Sequence, residues 1–378
     1  MKRRNFLKTA GGGIVLAAGA ATGFAMTRTP AEALVPWSLA GNYADPRMNA
    51  LSYAILAPNP HNRQPWIVRL DRDDGLTLFF DTDKQLPHTD PLDRQLTIGH
   101  GCFLELLRMA ANAQGYATET VLFPQGEDGA GLDNRPIAQV TFTNAEPVVD
   151  PLFTYVMDRR SNKEPFDTSR TVPADALARI VSVVKQTSAN GSVAQDDIDF
   201  WRELSSNALR VEVETPRTFK ESVDLFRIGK AEINANPDGI DLGGPMLDAL
   251  ALAGVMTREA ALDTSSTAFT QGLASVLANA QTAMGHVWMT TAGNTRRDQI
   301  AAGADWLRIN LACTREGLGF QPLSQALQEY PEVAGYYDQT HQRLAPNGET
   351  VQMLGRIGYG PQVSVSPRWP IEAKIVTT

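Results

Sequence analysis

Apolar residues recur at helical spacing over residues 96–114 and again over 296–316, and each stretch ends on a glycine, Gly115 or Gly317. The two stretches share a frame. Gly101 precedes Gly115 by the same interval that separates Gly303 from Gly317, and Ala110, Leu104, Leu107 and Met109 align with Ala312, Trp306, Ile309 and Leu311. Any two amphipathic helices match in part, but a shared glycine frame also fits a duplicated unit. Short runs with strand-like alternation predict a hairpin of residues 66–70 and 76–80 across Asp74-Gly75, then strands at 120–123, 137–142, 283–290 and 349–358. Further helices are predicted at 46–56, 173–185 and 198–209. Pro58 and Pro60 stop the first of these and force an extended loop. Residues 144–151 read as a connection. The Gly-, Pro- and Asp-rich stretch 235–246 opens an irregular excursion, a candidate lid over about 235–282. The expected class is α+β: two tandem pseudo-symmetric units around one core, each a mixed or antiparallel-rich sheet flanked by helices.

Length, charge and cysteine usage narrow the picture. A chain of 378 residues accommodates two units. The net charge of −8 is spread along the chain, with no Lys/Arg tract and no zinc-finger spacing, which argues against nucleic acid as a partner. Cys102 and Cys313 both lie in apolar helical runs and are expected to be two separate buried thiols. There is no C-x-x-C and no H-E-x-x-H. Asp81-Thr82-Asp83 starts like a calcium loop, but Leu86 and Leu92 stand where the loop needs Gly and Glu, so no metal is expected.

The N-terminus carries a separate signal. Lys2-Arg3-Arg4-Asn5-Phe6-Leu7-Lys8 precedes an apolar run over residues 10–25, shorter than the ~20 residues needed to span a bilayer. A positive start and a short apolar core predict a removable export segment. The twin arginines followed by Phe-Leu-Lys resemble a Tat signal, which implies the Tat translocase as a partner during export and a periplasmic location. That route carries folded proteins with a cofactor already seated. Small residues at Ala31 and Ala33 place the expected cleavage after Ala33. The organisation read from sequence is a signal over 1–33, a first unit over 34–150 and a second over 151–378.

The candidate chemistry rests on five segments. Ala57-Pro58-Asn59-Pro60-His61-Asn62-Arg63-Gln64-Pro65-Trp66 resembles the A-P-S-x-x-N-x-Q-P-W motif of FMN-dependent nitroreductases. Arg159-Arg160-Ser161-Asn162-Lys163 resembles their R-x-S-x-K/R motif. Gly317-Leu318-Gly319-Phe320 resembles the segment that ends the helix under the flavin. Arg356, in an R-I-G-Y-G context, and Ser366-Pro367-Arg368 resemble the C-terminal strand and basic tail. The matches sample residues 45–368, apart from about 187–282. Asn59 and Pro60 stand where the family carries small hydroxyl residues.

The order of the motifs is informative. In the family's usual subunit the Arg-Ser motif comes first; here the N-x-Q-P-W loop precedes it by about a hundred residues. In the family's dimer each flavin sits between subunits. A fused pair in which each half keeps one set would hold a single FMN, and the chain is similar to the Acg-type, single-chain branch. The resemblance implies a monomeric pseudo-dimer with a nitroreductase-like fold and FMN as cofactor. It implies contacts from Pro58, Asn59, Pro60, Asn62, Gln64, Arg159, Arg160, Ser161, Lys163, Pro322, Leu323, Arg356 and Arg368. Guanidinium groups suit a phosphate dianion, and an Asn side chain offers both a donor and an acceptor to the polar edge of the ring. Arg356 is also read as a partner for a buried carboxylate, and Trp66 as core. The implied activity is two-electron transfer through flavin to a nitroaromatic or quinone-type acceptor, from an unidentified donor. The alternative is a non-catalytic protein that sequesters flavin.

Overall fold

The structure, a computed structural model, describes residues 27–376. Most of the export-signal reading therefore falls outside the described residues. In chain order the elements are α1 (Ala31–Leu39), α2 (Pro46–Ala54), β1 (Trp66–Arg72), β2 (Gly75–Phe80), α3 (Arg94–Ala113), β3 (Tyr116–Leu122) and β4 (Pro136–Asn144). Then follow α4 (Ala174–Val181), β5 (Ser188–Ser192), α5 (Gln195–Glu214), α6 (Pro216–Asp224), β6 (Phe226–Ile228), α7 (Gly229–Ala235) and β7 (Ile240–Leu242). The remainder is α8 (Pro245–Leu252), α9 (Arg258–Leu262), α10 (Thr267–Ala280), β8 (Gly285–Thr291), α11 (Arg296–Arg315), β9 (Gly319–Pro322), α12 (Ala334–Leu344), β10 (Thr350–Gly358) and β11 (Ile375–Val376).

Two sheets repeat one topology. The first runs β1-β2-β4-β3 and the second β5-β8-β10-β9, with every neighbouring pair in these two runs antiparallel. In each, a long helix (α3 or α11) follows the second strand. The hairpin registers Trp66 against Phe80 and Val68 against Leu78, so alternate residues of β1 and β2 enter the core. β11 adds to the first sheet beside β1, in parallel, so the C-terminus of the second unit completes the first.

The glycine frame explains how the halves meet. α3 and α11 cross at Gly101 and Gly303. A Cβ on Gly303 would lie 2.0 Å from the Ile98 carbonyl, and one on Gly101 would lie 2.2 Å from the Ile300 carbonyl. Aligned residues thus make reciprocal contacts, as a twofold relation requires. Cys102 donates to the Gly303 carbonyl at 3.1 Å in the same crossing. Cys102 and Cys313 are separate, buried thiols, and burial pushes the Cys102 thiol up to about 12.

Local signals account for the helix ends. Asp45 caps α2 with Pro46 at its first position, and Thr295 and Asp298 form a capping box on α11. At α3 the Asp90 carboxylate accepts from the amides of Gln95 and Leu96, and burial raises its pKa to about 6 against those bonds.

Two readings are corrected. The predicted helix 173–185 ends at Val181, because the amides of Lys185, Gln186 and Thr187 turn to bind the Asp305 carboxylate. The excursion over 235–282 is largely helical, as α8, α9 and α10; its glycines and prolines mark turns and helix starts. Residue 33, the expected end of the export segment, lies within α1. Ala33 is buried there, its amide donates to Asn234 Oδ1, and its carbonyl accepts from the Arg368 amide.

Candidate functional site

The loop between α2 and β1 is shaped by backbone strain. His61, Asn62 and Gln64 all have positive φ, near 50°, a conformation that non-glycine residues seldom adopt. Asn59 Oδ1 accepts from the Gln64 amide at 2.7 Å and pins the turn. Asn59 and Pro60 rest over Gly99 of α3, where a Cβ would meet Asn59 at 3.1 Å.

The strain is held by contacts from the middle of the chain and from its C-terminal part. Gln64 is fully buried; its Nε2 donates to the Pro237 carbonyl at 2.6 Å and its Oε1 accepts from the Trp369 amide at 2.9 Å. Both ends of that side chain are thus engaged by protein groups. Lys374 donates to the Gln64 carbonyl at 2.8 Å. Burial, then the nearby Lys84 charge, lowers the Lys374 pKa to about 8.

Two guanidiniums converge beside this loop. Arg159 Nη2 donates to the Leu56 carbonyl at 2.9 Å, and Arg368 Nη2 donates to the same oxygen at 3.1 Å. Arg368 also reaches the carbonyls of Ala57 and Pro367 and, at 2.6 Å, Asn62 Oδ1. Asn62 Nδ2 donates to the Pro367 carbonyl, so its amide braces the arginine. Arg159 and Arg368 are 3% and 2% exposed, and among the described residues neither forms an ion pair with a carboxylate and the Nε of each is buried without a partner. Burial lowers the pKa of Arg159 to about 10 and that of Arg368 to about 9, the latter aided by repulsion from Arg159. Asn310 of α11, with its amide turned so that both ends are satisfied, accepts from Arg159 Nη1 at 3.2 Å and donates to the Arg160 carbonyl.

The surrounding groups add charge and shape. Arg160 binds carbonyls and sits 5.3 Å from the centre of the Trp37 ring, with Arg368 at 5.8 Å from that ring. The Ser161 hydroxyl makes no hydrogen bond to another described residue, and Lys163 is exposed. Asn162 is buried and fastens the Arg-Ser motif to the Pro361 carbonyl, while its amide donates to Phe320. The Nδ1 of His61 is buried without a partner, and burial, then Lys163, lowers the His61 pKa to about 4. Across from Lys163 lies Asp241 of β7. It is open to solvent yet walled by protein, and burial raises its pKa while Lys163 and Arg368 oppose the rise.

The remaining expected residues lie elsewhere. Pro322 ends β9 opposite Gly355, and Leu323 is core, with its amide donating to the Leu354 carbonyl. Arg356 is fully buried and binds Gln321 Oε1, Thr282 Oγ1 and the carbonyls of Asn279 and Glu164. It fastens the end of α10 to the second sheet and pairs with no carboxylate. Pro58, half-buried, stiffens the approach to the strained turn. Sequence reasoning missed Trp37, Asp241, Asn310 and Lys374, none of which stands in a motif.

The corner related by the pseudo-twofold is filled differently. Val183 follows α4 by two residues, as Leu56 follows α2, and its carbonyl likewise accepts from an arginine, Arg308 of α11, at 2.8 Å. Arg308 is paired with Glu105 at 3.0 Å and Asp150 at 2.8 Å. Asp305 occupies the three loop amides named above. One corner therefore holds two arginines without an ion-pair partner among the described residues, and in the other the arginine is paired with carboxylates.

No family model matches the chain. It is 34% identical over 96 residues to the Mycobacterium tuberculosis protein named "Putative NAD(P)H nitroreductase acg", a match covering 25% of this chain and 29% of that one. It is 30% identical over 126 residues to the uncharacterized protein Rv3127 of the same organism, covering 32% and 35%. The chain thus spans about a third of the length of the curated relatives it matches. Among solved structures it is similar to the FMN-dependent nitroreductase NfnB of Mycobacterium smegmatis in complex with NADPH, with a TM-score of 0.38 and 14% identity over 60% of this chain and 98% of that one. A Bacteroides fragilis nitroreductase with bound FMN gives 0.34 and 13%, over 61% and 99%.

Proposed function

We propose that the chain binds one FMN in the cleft beside the strained loop and acts as a nitroreductase-like oxidoreductase. The observation that carries this reading is the pair of buried guanidiniums, Arg159 and Arg368, which share one carbonyl and form no ion pair with a carboxylate among the described residues. Isolated buried charge costs several kcal/mol, so such a pair implies an anion in the working protein. With Lys163 opposing Asp241, the excess positive charge around the cleft matches a phosphate dianion. The two orphaned Nε groups and the free Ser161 hydroxyl supply donors. The strained turn at Asn59 to Asn62 and the Trp37 ring furnish walls for a planar ring system. The curated relative named as a nitroreductase supports the same reading.

Bound FMN would supply two-electron chemistry toward a nitroaromatic or quinone-type acceptor. The chain's own part is to orient the cofactor: Asn62 and Lys374 hold the loop, and Asn310 holds Arg159. His61, kept neutral by burial, lines the loop without adding charge. Export by the Tat route to the periplasm belongs to this reading, since that route delivers a cofactor seated in the cytoplasm.

A second reading, flavin sequestration, is favoured by one observation. The segment before α8 is bolted over the loop. Gly239 donates to the Asn62 carbonyl, Gln64 to the Pro237 carbonyl, and Asp238 pairs with Lys84 at 2.6 Å and Arg227 at 2.7 Å. Against the desolvation of its burial, those two cations lower the Asp238 pKa to about 2. An absorbance spectrum of the purified chain, before and after NADPH without oxygen, separates the readings. A flavin band that bleaches supports the reductase. A band that persists with NADPH and with quinols supports sequestration. A chain that neither carries nor takes up FMN overturns both.

A further inference from the structure

We propose that Phe166 is a positioning residue for the cofactor: its ring, seated in a socket of three glycines, fixes the segment that carries Ser161 and Lys163. This rests on the FMN reading of the cleft and names what aims two of its groups. The socket joins the G-L-G-F and R-I-G-Y-G segments. Gly319 of β9 faces Gly358 of β10 across their ladder, and Gly360 follows two residues later. A Cβ on Gly319 would lie 2.7 Å from Phe166 Cε1, one on Gly358 would lie 2.6 Å from Cδ2, and one on Gly360 would lie 2.8 Å from Cδ1. None of the three has a positive φ, so it is the approach of the ring, and not the backbone, that requires glycine there. Phe166 is buried, and the Arg356 guanidinium lies over its ring, 3.9 Å from the centre.

The socket grips the Arg-Ser motif on both sides of Lys163. Before it, Asn162 enters the same space: a Cβ on Gly360 would lie 2.9 Å from Asn162 Nδ2, which donates to the Pro361 carbonyl at 2.8 Å. After it comes the Phe166 ring, and the Phe166 amide donates to Thr282 Oγ1 at 2.8 Å. Between them the Glu164 amide donates to Asn162 Oδ1 at 3.0 Å, and its carbonyl accepts from Arg356 Nη2 at 2.8 Å. Residues 162–166 are thus fastened at both ends and in the middle. Lys163 stays exposed, and its charge acts on His61 and Asp241 at the cleft. A flat ring packed against bare backbone has one orientation, which a branched aliphatic side chain does not impose. Donors to a phosphate or a polar ring edge depend on that aim, because hydrogen bonds weaken steeply with misalignment.

The experiment is titration of FMN into the flavin-free chain, followed by fluorescence quenching well below the melting temperature, with thermal melts of each variant. Phe166→Leu is expected to raise the Kd about tenfold. Gly360→Ala, at the exposed rim of the socket where the fold is spared, pushes on both Phe166 and Asn162 and is expected to raise it at least about threefold. Gly319→Ala added to Phe166→Leu puts a methyl where the ring edge lay and is expected to bring the Kd back to within about threefold of wild type. Arg308→Met, which weakens the other corner, is the control for stability alone and is expected to leave the Kd unchanged. An unchanged Kd in both Phe166→Leu and Gly360→Ala makes the socket a packing feature only and overturns the proposal. So does a loss of affinity in Arg308→Met as large as that in Phe166→Leu, or a double variant that binds no better than Phe166→Leu. A wild-type chain that takes up no FMN overturns the cofactor reading itself, and the positioning role with it.

Discussion

Replacing Arg368 by Met tests the cofactor reading where its energetics are clearest. Met keeps much of the side chain's length and removes its charge. In the folded chain the fall of the Arg368 pKa from 12.5 to about 9 corresponds to on the order of 5 kcal/mol against the charged form. Its hydrogen bonds to Asn62, Pro367, Leu56 and Ala57, at about 1.5 kcal/mol or more each for a charged donor, offset a similar amount. The flavin-free variant should therefore match wild type in stability to within about 2 kcal/mol. Binding should respond very differently. Losing one partner of a buried, charge-assisted contact to phosphate costs roughly 2–4 kcal/mol, or about 30- to 1000-fold in the Kd for FMN. Riboflavin has no phosphate, so its Kd should change less than about threefold if Arg368 acts on that group. Titration of both flavins by fluorescence quenching, with thermal melts of the free proteins, gives all three quantities. Equal losses for FMN and riboflavin would show that Arg368 only supports the loop. Unchanged FMN affinity would refute the phosphate assignment, and a collapse of the free protein would refute the energetic balance.

Gly303→Ala places a Cβ 2.0 Å from the Ile98 carbonyl and should cost about 2–3 kcal/mol in urea unfolding; combined with Gly101→Ala the losses should not add, because the two sites touch. Arg308→Met should destabilise the chain by about 2–4 kcal/mol by stripping Glu105 and Asp150 of a buried partner, without changing flavin content. The Lys374 pKa lies near 8 in the folded chain and at 10.5 ordinarily, so between these values the unfolded chain holds more protons and stability rises with pH. The thermal midpoint of wild type minus that of Lys374→Met should accordingly grow from pH 8 to about 10, and a flat difference would count against the buried ammonium.

The long helices, the hairpin and the duplicated frame were legible because they rest on local periodicity and on glycine. The pairing of Gly101 with Gly303 turned a weak alignment into a physical contact, since only glycine lets two helices approach that closely. Short elements were not legible: β5 and β9 owe their existence to pairing with β8 and β10, and α1 lies in a stretch whose composition reads as signal. The motif arginines were found, but the division of labour among motif residues was not. Gln64 and Asn62 carry amides that suit a ligand, yet their partners come from residues 237 and 367–369, which no local pattern connects to the loop. Arg356 was legible as important, while its carbonyl partners at 164 and 279 depend on the tertiary fold.

The asymmetry between the two pseudo-related corners bears on why one chain would keep a single site. Both corners present a carbonyl just past a helix end and an arginine that binds it. In the second, Arg308 meets Glu105 and Asp150, and Asp305 takes the loop amides, so every strong donor there is satisfied within the chain. An incoming dianion would have to displace carboxylates already paired and largely buried, which costs several kcal/mol before any contact is made. In the first corner the same architecture keeps Arg159 and Arg368 among carbonyls, and Asp241, the acid that acts on Arg368, also faces the charge of Lys163. The folded chain thus tolerates unpaired charge at one corner and has neutralised it at the other. The two sheets with their long helices present similar scaffolds, and the placement of three carboxylates, Glu105, Asp150 and Asp305, distinguishes one corner from the other.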